Sequence, residues 1–255
     1  MFFNALKSEW TKLMSLRSTA VYFILITGAL YGPMVLLVGL ADTSSGVDWS
    51  SLLVGWGIAV AISTAFAGAS VAGELDDHMH AHAYLTQNSR STWIAAKSVV
   101  YTVFLAITFA IGIGLAVAVA QVFPDSSFSG GETTDLFIAL FHAIIFGSFA
   151  FAIGMLTRSK VAAVALPLAW MLVIDQLIPL AASKIEAATF LWLLSPRPRS
   201  GQLADTIAGT VETGMEHGFE LGQIQPDWFN VAVIAGWVVV ATVSVFAVNR
   251  VRDVR

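Results

Sequence analysis

Long apolar segments separated by short polar ones dominate this chain. Six segments are continuously apolar, and each is close to the roughly 20 residues that an α-helix needs to cross about 30 Å of hydrocarbon. They cover residues 20–40, 52–73, 94–120, 136–156, 161–182 and 228–248. Because polar and apolar residues do not alternate within them, the segments do not suit a membrane β-barrel. The pattern predicts an all-α membrane protein with six transmembrane helices in one domain, followed by a short tail at 249–255.

The residues before the first span, 1–19, have a different pattern. Their apolar residues recur at helical spacing: Phe3, Leu6, Trp10, Leu13 and Met14. Their polar residues lie mostly on the opposite side: Lys7, Glu9, Lys12 and Ser15. This arrangement predicts an amphipathic helix in the plane of the membrane interface. The alternative is a disordered basic tail.

The connection at 183–227 is much longer than the loops of compact domains usually are. Its first part, residues 184–194, is apolar but too short to cross the bilayer, which predicts a re-entrant or interfacial helix. The prolines at 196 and 198 are expected to stop any helix there. Beyond them, Leu203, Ile207 and Val211 are spaced for a short amphipathic helix.

Small residues are frequent in the first two spans. Pairs four residues apart, such as Gly28 with Gly32 and Gly55 with Ala59, allow helices to approach closely in lipid. Two interpretations stay open, packing within one chain and a homodimer interface. Pro33 removes a backbone donor and is expected to bend the first span.

Composition agrees with a polytopic membrane protein. The chain has 255 residues, of which 57% are hydrophobic and only 12% charged, and its mean hydropathy is +0.78. The absence of cysteine excludes disulfides, thiolate metal sites and a cysteine nucleophile. The net charge is −4 and the basic residues are not clustered, so no nucleic-acid partner is expected.

The distribution of Lys and Arg predicts the orientation. One side of the predicted bundle carries most of them: Lys7, Lys12, Arg17, Arg90, Lys97, Arg158, Lys160, Arg250, Arg252 and Arg255. The other side carries three, all in the long loop: Lys184, Arg197 and Arg199. By the positive-inside rule, both termini are expected to be cytoplasmic.

The longest polar segment on the predicted cytoplasmic side covers residues 74–93. It holds three carboxylates, three histidines and an arginine: Glu74, Asp76, Asp77, His78, His80, His82 and Arg90. Imidazoles suit zinc, copper or nickel, with Asp76 or Asp77 as a further ligand. A solvated cytoplasmic surface explains the same run without a ligand, and we therefore assign no metal site.

Two ionisable residues lie inside predicted spans, where a charge is costly. His142 and Asp175 fall at similar depth in neighbouring antiparallel spans, so the sequence predicts an intramembrane polar pair with Gln176 beside it. The functional hypothesis is a polar girdle near an outer gate. The alternatives are a structural hydrogen bond or a cap of a helix break before Pro179.

Two enzymatic possibilities are not favoured. Ser148 lacks the G-x-S-x-G frame of a nucleophile elbow, and its spacing from His142 on one helix does not suit a contact. No G-x-x-x-x-G-K-[ST] motif occurs in the chain, so it is not expected to hold nucleotide phosphates in that manner. If ATP drives this protein, another chain is expected to bind it.

Several short motifs resemble bacterial ABC-transporter permeases of the type-2 exporter class. They are SEWTKL at 8–13 and SLRST at 15–19, Glu74 at the end of the second span, and Arg90 with AAK at 95–97 before the third. The chain departs from that family between these points, where it has Asp77 and the histidine run in place of a Gly-Thr pair.

This resemblance implies a permease subunit in a bacterial plasma membrane. It implies a coupling helix at 74–93 whose site residues are Glu74, Asp76, Asp77, His78, His80, His82 and Arg90. Expected partners are two copies of a soluble ABC ATPase, which would hold ATP and Mg²⁺, a second copy of this chain, and the lipid bilayer. The cargo is expected to be a hydrophobic or amphipathic compound such as a drug, lipid or peptide.

The alternative function is a non-transporting membrane anchor or sensor that binds a cytoplasmic partner through the same segment. A secondary transporter is less favoured, because neither inverted repeats nor midplane ionisable residues are evident.

Overall fold

The computed structural model describes residues 2–40, 47–77, 90–122, 128–130, 133–208, 215–216, 219–220 and 225–251. Within them, six helical segments are long and apolar enough to cross a membrane: Arg17–Leu40, Trp56–Asp76, Ser91–Val122, Thr134–Thr157, Lys160–Ala182 and Asp227–Ala247. The predicted class, a mainly helical multi-pass membrane protein, is confirmed at this level.

The described residues form eleven α-helices and one π-helical turn, besides four short strands. The first half of the chain forms α1 (Phe2–Ser15), α2 (Arg17–Leu40), α3 (Trp49–Leu52), α4 (Trp56–Asp76), α5 (Arg90–Val122) and α6 (Thr134–Thr157). The second half forms α7 (Lys160–Ala169), a π-helical turn (Trp170–Ile174), α8 (Asp175–Ala182), α9 (Glu186–Leu194), α10 (Pro196–Ala208) and α11 (Asp227–Val251).

The long helices alternate in direction, which gives the bundle two ends. At one end α4 and α6 finish, α5 and α7 begin, and α1 lies across the helices; we call it the Glu74 end. At the opposite end α9 and α10 fold over the bundle; we call it the Ser200 end.

Aromatic side chains fill the middle of the bundle. Phe66 of α4 has its ring centroid 5.8 Å from Tyr101 and 5.3 Å from Phe104, both of α5. In lipid such contacts stabilise through close packing, since removal from water no longer drives helix association. The phenol of Tyr101 also donates a 2.5 Å hydrogen bond to the Ser63 carbonyl oxygen of α4.

Two glycines, one at the N-cap of α4 and one within it, lie where neighbouring backbones leave no room for a side chain. A Cβ at Gly55 would fall 1.8 Å from the Ala29 carbonyl oxygen of α2, and one at Gly68 would fall 2.4 Å from the Ala163 carbonyl oxygen of α7. These glycines therefore serve packing within the chain. Gly28 has nothing within 4 Å of such a Cβ, and the homodimer interpretation stays open there.

The N-terminal residues form a helix, so the disordered-tail alternative does not hold. The buried side of α1 agrees only in part with its sequence pattern: Leu6, Trp10 and Leu13 pack against the core, but the polar residue Glu9 is buried as well. Ala5, Glu9 and Leu13, spaced by four, are buried, whereas Phe3 is 82% exposed. Glu9 belongs to the inward side because the ammonium group of Lys97, on α5, lies 3.9 Å from its carboxylate there.

The fifth span is not one regular helix. α7 contains Pro167, α8 contains Pro179, and the π-helical turn lies between them, directly before Asp175. Proline removes a backbone donor from the helical ladder, and π-turns are inserted where that ladder is disturbed. α2, by contrast, stays helical through Pro33.

The long connection is more helical than its prolines predict. α9 ends at Leu194, but α10 begins at Pro196, because proline is favoured at the first helical position, where its missing N–H is not needed. The prolines that were expected to stop a helix thus begin the next one, α10, which contains Leu203 and Ile207. Val211 lies outside the described residues.

Short strands, which the all-α prediction did not include, lie in the connections. β1 (Val47–Asp48) pairs in parallel with β2 (Phe128–Gly130), and β3 (Met215–Glu216) pairs antiparallel with β4 (Phe219–Glu220). The first pair joins two connections at the Ser200 end, where Trp49 packs edge-on against Phe128 with ring centroids 4.6 Å apart.

Candidate functional site

Four charged side chains meet at the Glu74 end, and we call them the charge cluster: Glu9, Lys12, Glu74 and Lys97. α1 contributes Glu9 and Lys12, which are three residues apart and so share a side of that helix. Glu74 belongs to the last turn of α4, and Lys97 to the second turn of α5. Three elements therefore converge on one group of charges.

The ion pairs within the charge cluster are short. The Lys97 Nζ atom lies 2.6 Å from Glu74 Oε1 and 3.9 Å from Glu9 Oε2. The Lys12 Nζ atom lies 2.8 Å from Glu9 Oε1 and 3.2 Å from Glu74 Oε2. Each ammonium thus contacts both carboxylates, and the formal charges of the cluster sum to zero.

The charge cluster is largely shielded from solvent. The side chains of Glu74 and Lys97 are each 10% exposed, and that of Glu9 is 3% exposed. Leaving one buried charge without its partner typically costs about 3–5 kcal/mol, although replacing a whole pair with apolar groups can be neutral. A cavity of about 20 Å³ beside the cluster has room for roughly one water molecule.

Lys12 is the most exposed member of the charge cluster. Burial on its own would lower the pKa of its ammonium, but the Glu74 and Glu9 carboxylates more than offset this effect. The pKa of Lys12 is therefore raised above its ordinary value of 10.5, so Lys12 keeps its positive charge at physiological pH.

The predicted coupling residues separate into internal and external ones. Glu74 lies inside the protein, in contact with Lys97 and Lys12. Asp76 is exposed, with its Oδ2 atom 3.5 Å from the Lys160 Nζ atom, and Asp77 is exposed at the C-terminal cap of α4. Only these last two offer carboxylates to a partner outside the chain.

The remainder of the predicted coupling segment is only partly described. Arg90 is the first residue of α5. His78, His80 and His82 lie outside the described residues, so the structure tests neither the coupling helix nor a ligand site at the histidine run.

A second polar group lies at the Ser200 end, and it includes the predicted intramembrane residues. His142 is 3% exposed, and its Nε2 atom shares a short hydrogen bond with the Ser200 hydroxyl of α10. The ring of Trp56 lies over the imidazole, with centroids 5.3 Å apart. The partner of His142 is therefore the connection that folds back over the bundle.

The structure does not bring His142 and Asp175 into an ion pair or a hydrogen bond. Asp175 is 7% exposed and faces the guanidinium of Arg197. The Trp170 indole and the Ser195 hydroxyl are near it, but neither gives its carboxylate a hydrogen bond of good geometry. His142 and Asp175 instead have separate neighbours, Ser200 of α10 for His142 and Arg197 of the same helix for Asp175.

A fully buried arginine at the Ser200 end was not predicted. Arg199 is 0% exposed, and its Nη1 atom donates to Gln202 Oε1 at 2.8 Å and to Asn230 Oδ1 at 3.3 Å. Its guanidinium lies 4.4 Å from the ring centroid of Trp192. In the sequence, Arg199 was counted only as one of the three basic residues of the long loop. The nearby aromatic residue Trp192 was the available signal for a cation–π contact.

Glu9 and Lys12 were also missed as members of a buried site. Amphipathic spacing placed both on the solvated side of α1. Opposite charges at the ends of adjacent spans, Glu74 and Lys97, could have indicated a salt bridge, but nothing in the local pattern of α1 reveals its partners more than 60 residues away.

Ser148 donates its hydroxyl to its own helix, to the Ile144 carbonyl oxygen at 2.7 Å.

Comparisons with known proteins give no identification. No protein-family model matches the chain, and no curated protein matches it.

Proposed function

We propose that this chain is the transmembrane subunit of an ATP-driven ABC exporter. In this proposal it forms a dimeric route for a hydrophobic or amphipathic compound across a bacterial plasma membrane, with both termini cytoplasmic. Two copies of a separate soluble ATPase would bind ATP and Mg²⁺. The motifs around Glu74, Arg90 and Lys97 support the proposal by resemblance, and the Lys and Arg distribution supports the orientation.

The observation that carries the proposal is the charge cluster. It joins α1 to the last turn of α4 and the second turn of α5, the two helices that flank the polar connection. A connection that only tethered a partner would not need buried ion pairs to both helices. A connection that passes movement from an ATPase into the spans does need such a rigid junction, because loose side chains would absorb the displacement.

In this mechanism the external and internal residues have different tasks. Asp77 and the histidines at 78, 80 and 82 would contact the ATPase. Glu74 and Lys97 would transmit its displacement to α4, α5 and α1. Close helix contacts such as Gly68 against Ala163 would let the spans move as packed units.

Capture of a P-loop ATPase encoded beside this chain tests the proposal. The full chain, purified in detergent, is expected to retain that ATPase and to change its ATP hydrolysis rate. Replacing Asp77 and the three histidines with alanine should weaken capture by at least about tenfold, an amount that the loss of a few interface contacts can produce. The thermal stability of the permease should not change, because Asp77 is exposed.

The matched control is an alanine substitution of Asp135, an exposed carboxylate at the Ser200 end. It should leave capture and hydrolysis unchanged. Retention of the ATPase without any effect on hydrolysis or transport would instead favour the anchor or sensor function. Absence of capture with a folded chain would refute the exporter proposal.

A further inference from the structure

A groove of about 270 Å³ lies between α5, α6 and α11, on the half of the bundle nearer the Glu74 end. Its lining includes Ile94, Thr102, Ser148, Phe151, Thr242 and Phe246. None of its lining residues is charged. The groove is open on one side and is separated from the charge cluster only by a wall that includes Tyr101 and Phe151, which line both spaces.

The hydroxyls of the groove do not demand a polar occupant. Ser148 donates to the Ile144 carbonyl oxygen at 2.7 Å, and Thr102 donates to the Ser98 carbonyl oxygen at 3.0 Å. Both donors are thus used within their own helices, as is usual for Ser and Thr in membrane helices. Tyr101 likewise donates its hydroxyl to the Ser63 carbonyl oxygen. Apart from Ser98 and Thr242, the other lining residues are aliphatic or aromatic, which suits a hydrocarbon chain.

The depth of the groove matches one leaflet. Along α5 its lining runs from Ile94 to Thr102, which places it roughly 6–18 Å from the start of the helix at about 1.5 Å per residue. The hydrocarbon of one leaflet is about 15 Å thick, half of the bilayer core. The groove therefore has the extent of a lipid chain that enters from the Glu74 end.

Each of the three helices that line the groove carries an arginine at that same end. Position 90 begins α5, four residues before Ile94; position 158 caps α6, seven residues after Phe151; and position 250 is in the last turn of α11, four residues after Phe246. A separation of four residues returns to the same side of a helix, so positions 90 and 250 fall on the sides of α5 and α11 that line the groove. Position 158 has a φ of 54° and follows the last residue of α6, so it shares only the end of the groove. The sequence thus supplies three positive charges above a groove that has none.

We propose that this groove binds one acyl chain of an anionic phospholipid, whose phosphate lies at the end marked by Arg90, Arg158 and Arg250. Basic residues between transmembrane helices are a known means of recognising anionic headgroups. The proposal depends only on the six membrane-spanning helices, and it is independent of transport or of any ATPase. It assigns the groove to a lipid that stabilises the contact of α11 with α5 and α6.

Native mass spectrometry of the detergent-purified full chain tests this assignment. The probes are dioleoylphosphatidylglycerol and dioleoylphosphatidylcholine, which share their acyl chains and differ in charge. The chain should bind the anionic lipid at least about tenfold more tightly. An Arg158→Asn variant should lose about fivefold of that affinity, the contribution of one basic residue near a membrane surface. Asparagine is chosen because Arg158 has a φ of 54°, which asparagine tolerates.

Arg17→Asn is the matched charge control. Arg17 is exposed at the same end, on α2, which does not line the groove. It should leave the preference for the anionic lipid unchanged. Equal losses in both variants would show a general surface effect and would overturn the proposal, as would equal binding of the two lipids by the parent chain.

Filling the groove provides the second test. Thr242→Trp should lower binding of the anionic lipid by at least about tenfold, because the indole would occupy the space of the chain. Ile111→Trp, at a 41% exposed position of α5 outside the groove, should have no effect. If Thr242→Trp does not give folded protein, Ser148→Leu makes the same test from α6. Undiminished lipid binding in a folded groove variant would refute the assignment. The same conclusion would follow if the parent chain formed a dimer without bound lipid and the variant disrupted that dimer.

Discussion

The two ends of the bundle handle buried polar groups in different ways. At the Glu74 end, two carboxylates and two ammonium groups lie within 3.9 Å of one another and pair completely. At the Ser200 end, buried polar atoms of Asp175, Ser195 and Trp192, together with His142 Nδ1, have no hydrogen-bond partner among the described residues. Removing one member of a fully paired network leaves its partners unpaired and lowers stability, whereas removing a group that has no partner costs little.

The comparison also separates two reasons for placing charge in a membrane protein. The charge cluster joins elements that are distant in sequence, Lys12 and Glu74 being 62 residues apart. The polar group at the Ser200 end mainly holds a folded-back connection, through Ser200 and through the Leu194 carbonyl oxygen, which accepts a 2.6 Å hydrogen bond from the Trp237 indole. The first arrangement pairs charges across three helices, and the second fastens one connection to the bundle.

Removing one charge from the charge cluster should have the largest effect. Lys97→Met leaves two buried carboxylates with the Lys12 ammonium alone, and Glu74→Gln leaves two ammonium groups with one carboxylate. Each should lower the free energy of unfolding by about 3–5 kcal/mol. Chemical unfolding in mixed micelles, followed by circular dichroism, measures the change.

Lys160→Met is the control for this prediction. Lys160 pairs with Asp76 at 3.5 Å, but both side chains are about half exposed or more, at 48% and 63%. Its loss should change stability by no more than about 1 kcal/mol. Equal effects of the two lysine variants would contradict the view that burial gives the charge cluster its importance.

An intermediate effect is expected for Ser200→Ala. The variant leaves the buried imidazole of His142 without a partner for Nε2, which should cost about 1–3 kcal/mol. Because Ser200 belongs to α10, the loss should also increase proteolysis between α9 and α11. A His142→Leu/Ser200→Ala double variant should be less unstable than the sum of the single changes. Strict additivity would show that the two side chains do not interact.

The smallest effect is expected for Asp175→Asn. This variant makes the same chemical change as Glu74→Gln, from carboxylate to amide, but at a carboxylate without well-formed hydrogen bonds. The free energy of unfolding should stay within about 1 kcal/mol of the parent or rise, since a buried charge is removed. A loss as large as that of Glu74→Gln would mean that Asp175 has a strong partner and that the contrast between the ends is wrong.

The sequence predicted the spans well because their signal is local. Roughly 20 consecutive apolar residues are sufficient to identify a membrane helix, and the six predicted segments agree with those of the structure within a few residues, apart from longer ends. The pair of Gly55 with Ala59 was predicted to allow a close helix approach, but the sequence did not reveal that Gly55 faces α2, nor that Gly68 faces α7.

The candidate site was predicted only in part because its signal is non-local. Glu74 and Lys97 stood out as charges beside apolar spans, but Glu9 looked like a solvated residue of an amphipathic helix. Its burial follows from the docking of α1 onto α4 and α5, which periodicity within α1 does not encode. His142 and Asp175 were recognised as unusual, yet their neighbours come from α10 and the residues before it, a fold of the chain that helical spacing could not reveal.

The charge cluster has a consequence for biogenesis. α1 is followed by α2 after a single residue, Leu16, so both are made first, while the partners of Glu9 and Lys12 are made much later, at positions 74 and 97. Chains are synthesised from the N-terminus, and early segments wait for later ones. The charge cluster can therefore close only after α5 has been synthesised, and the pairing of Glu9 and Lys12 reports that α1, α4 and α5 have come together.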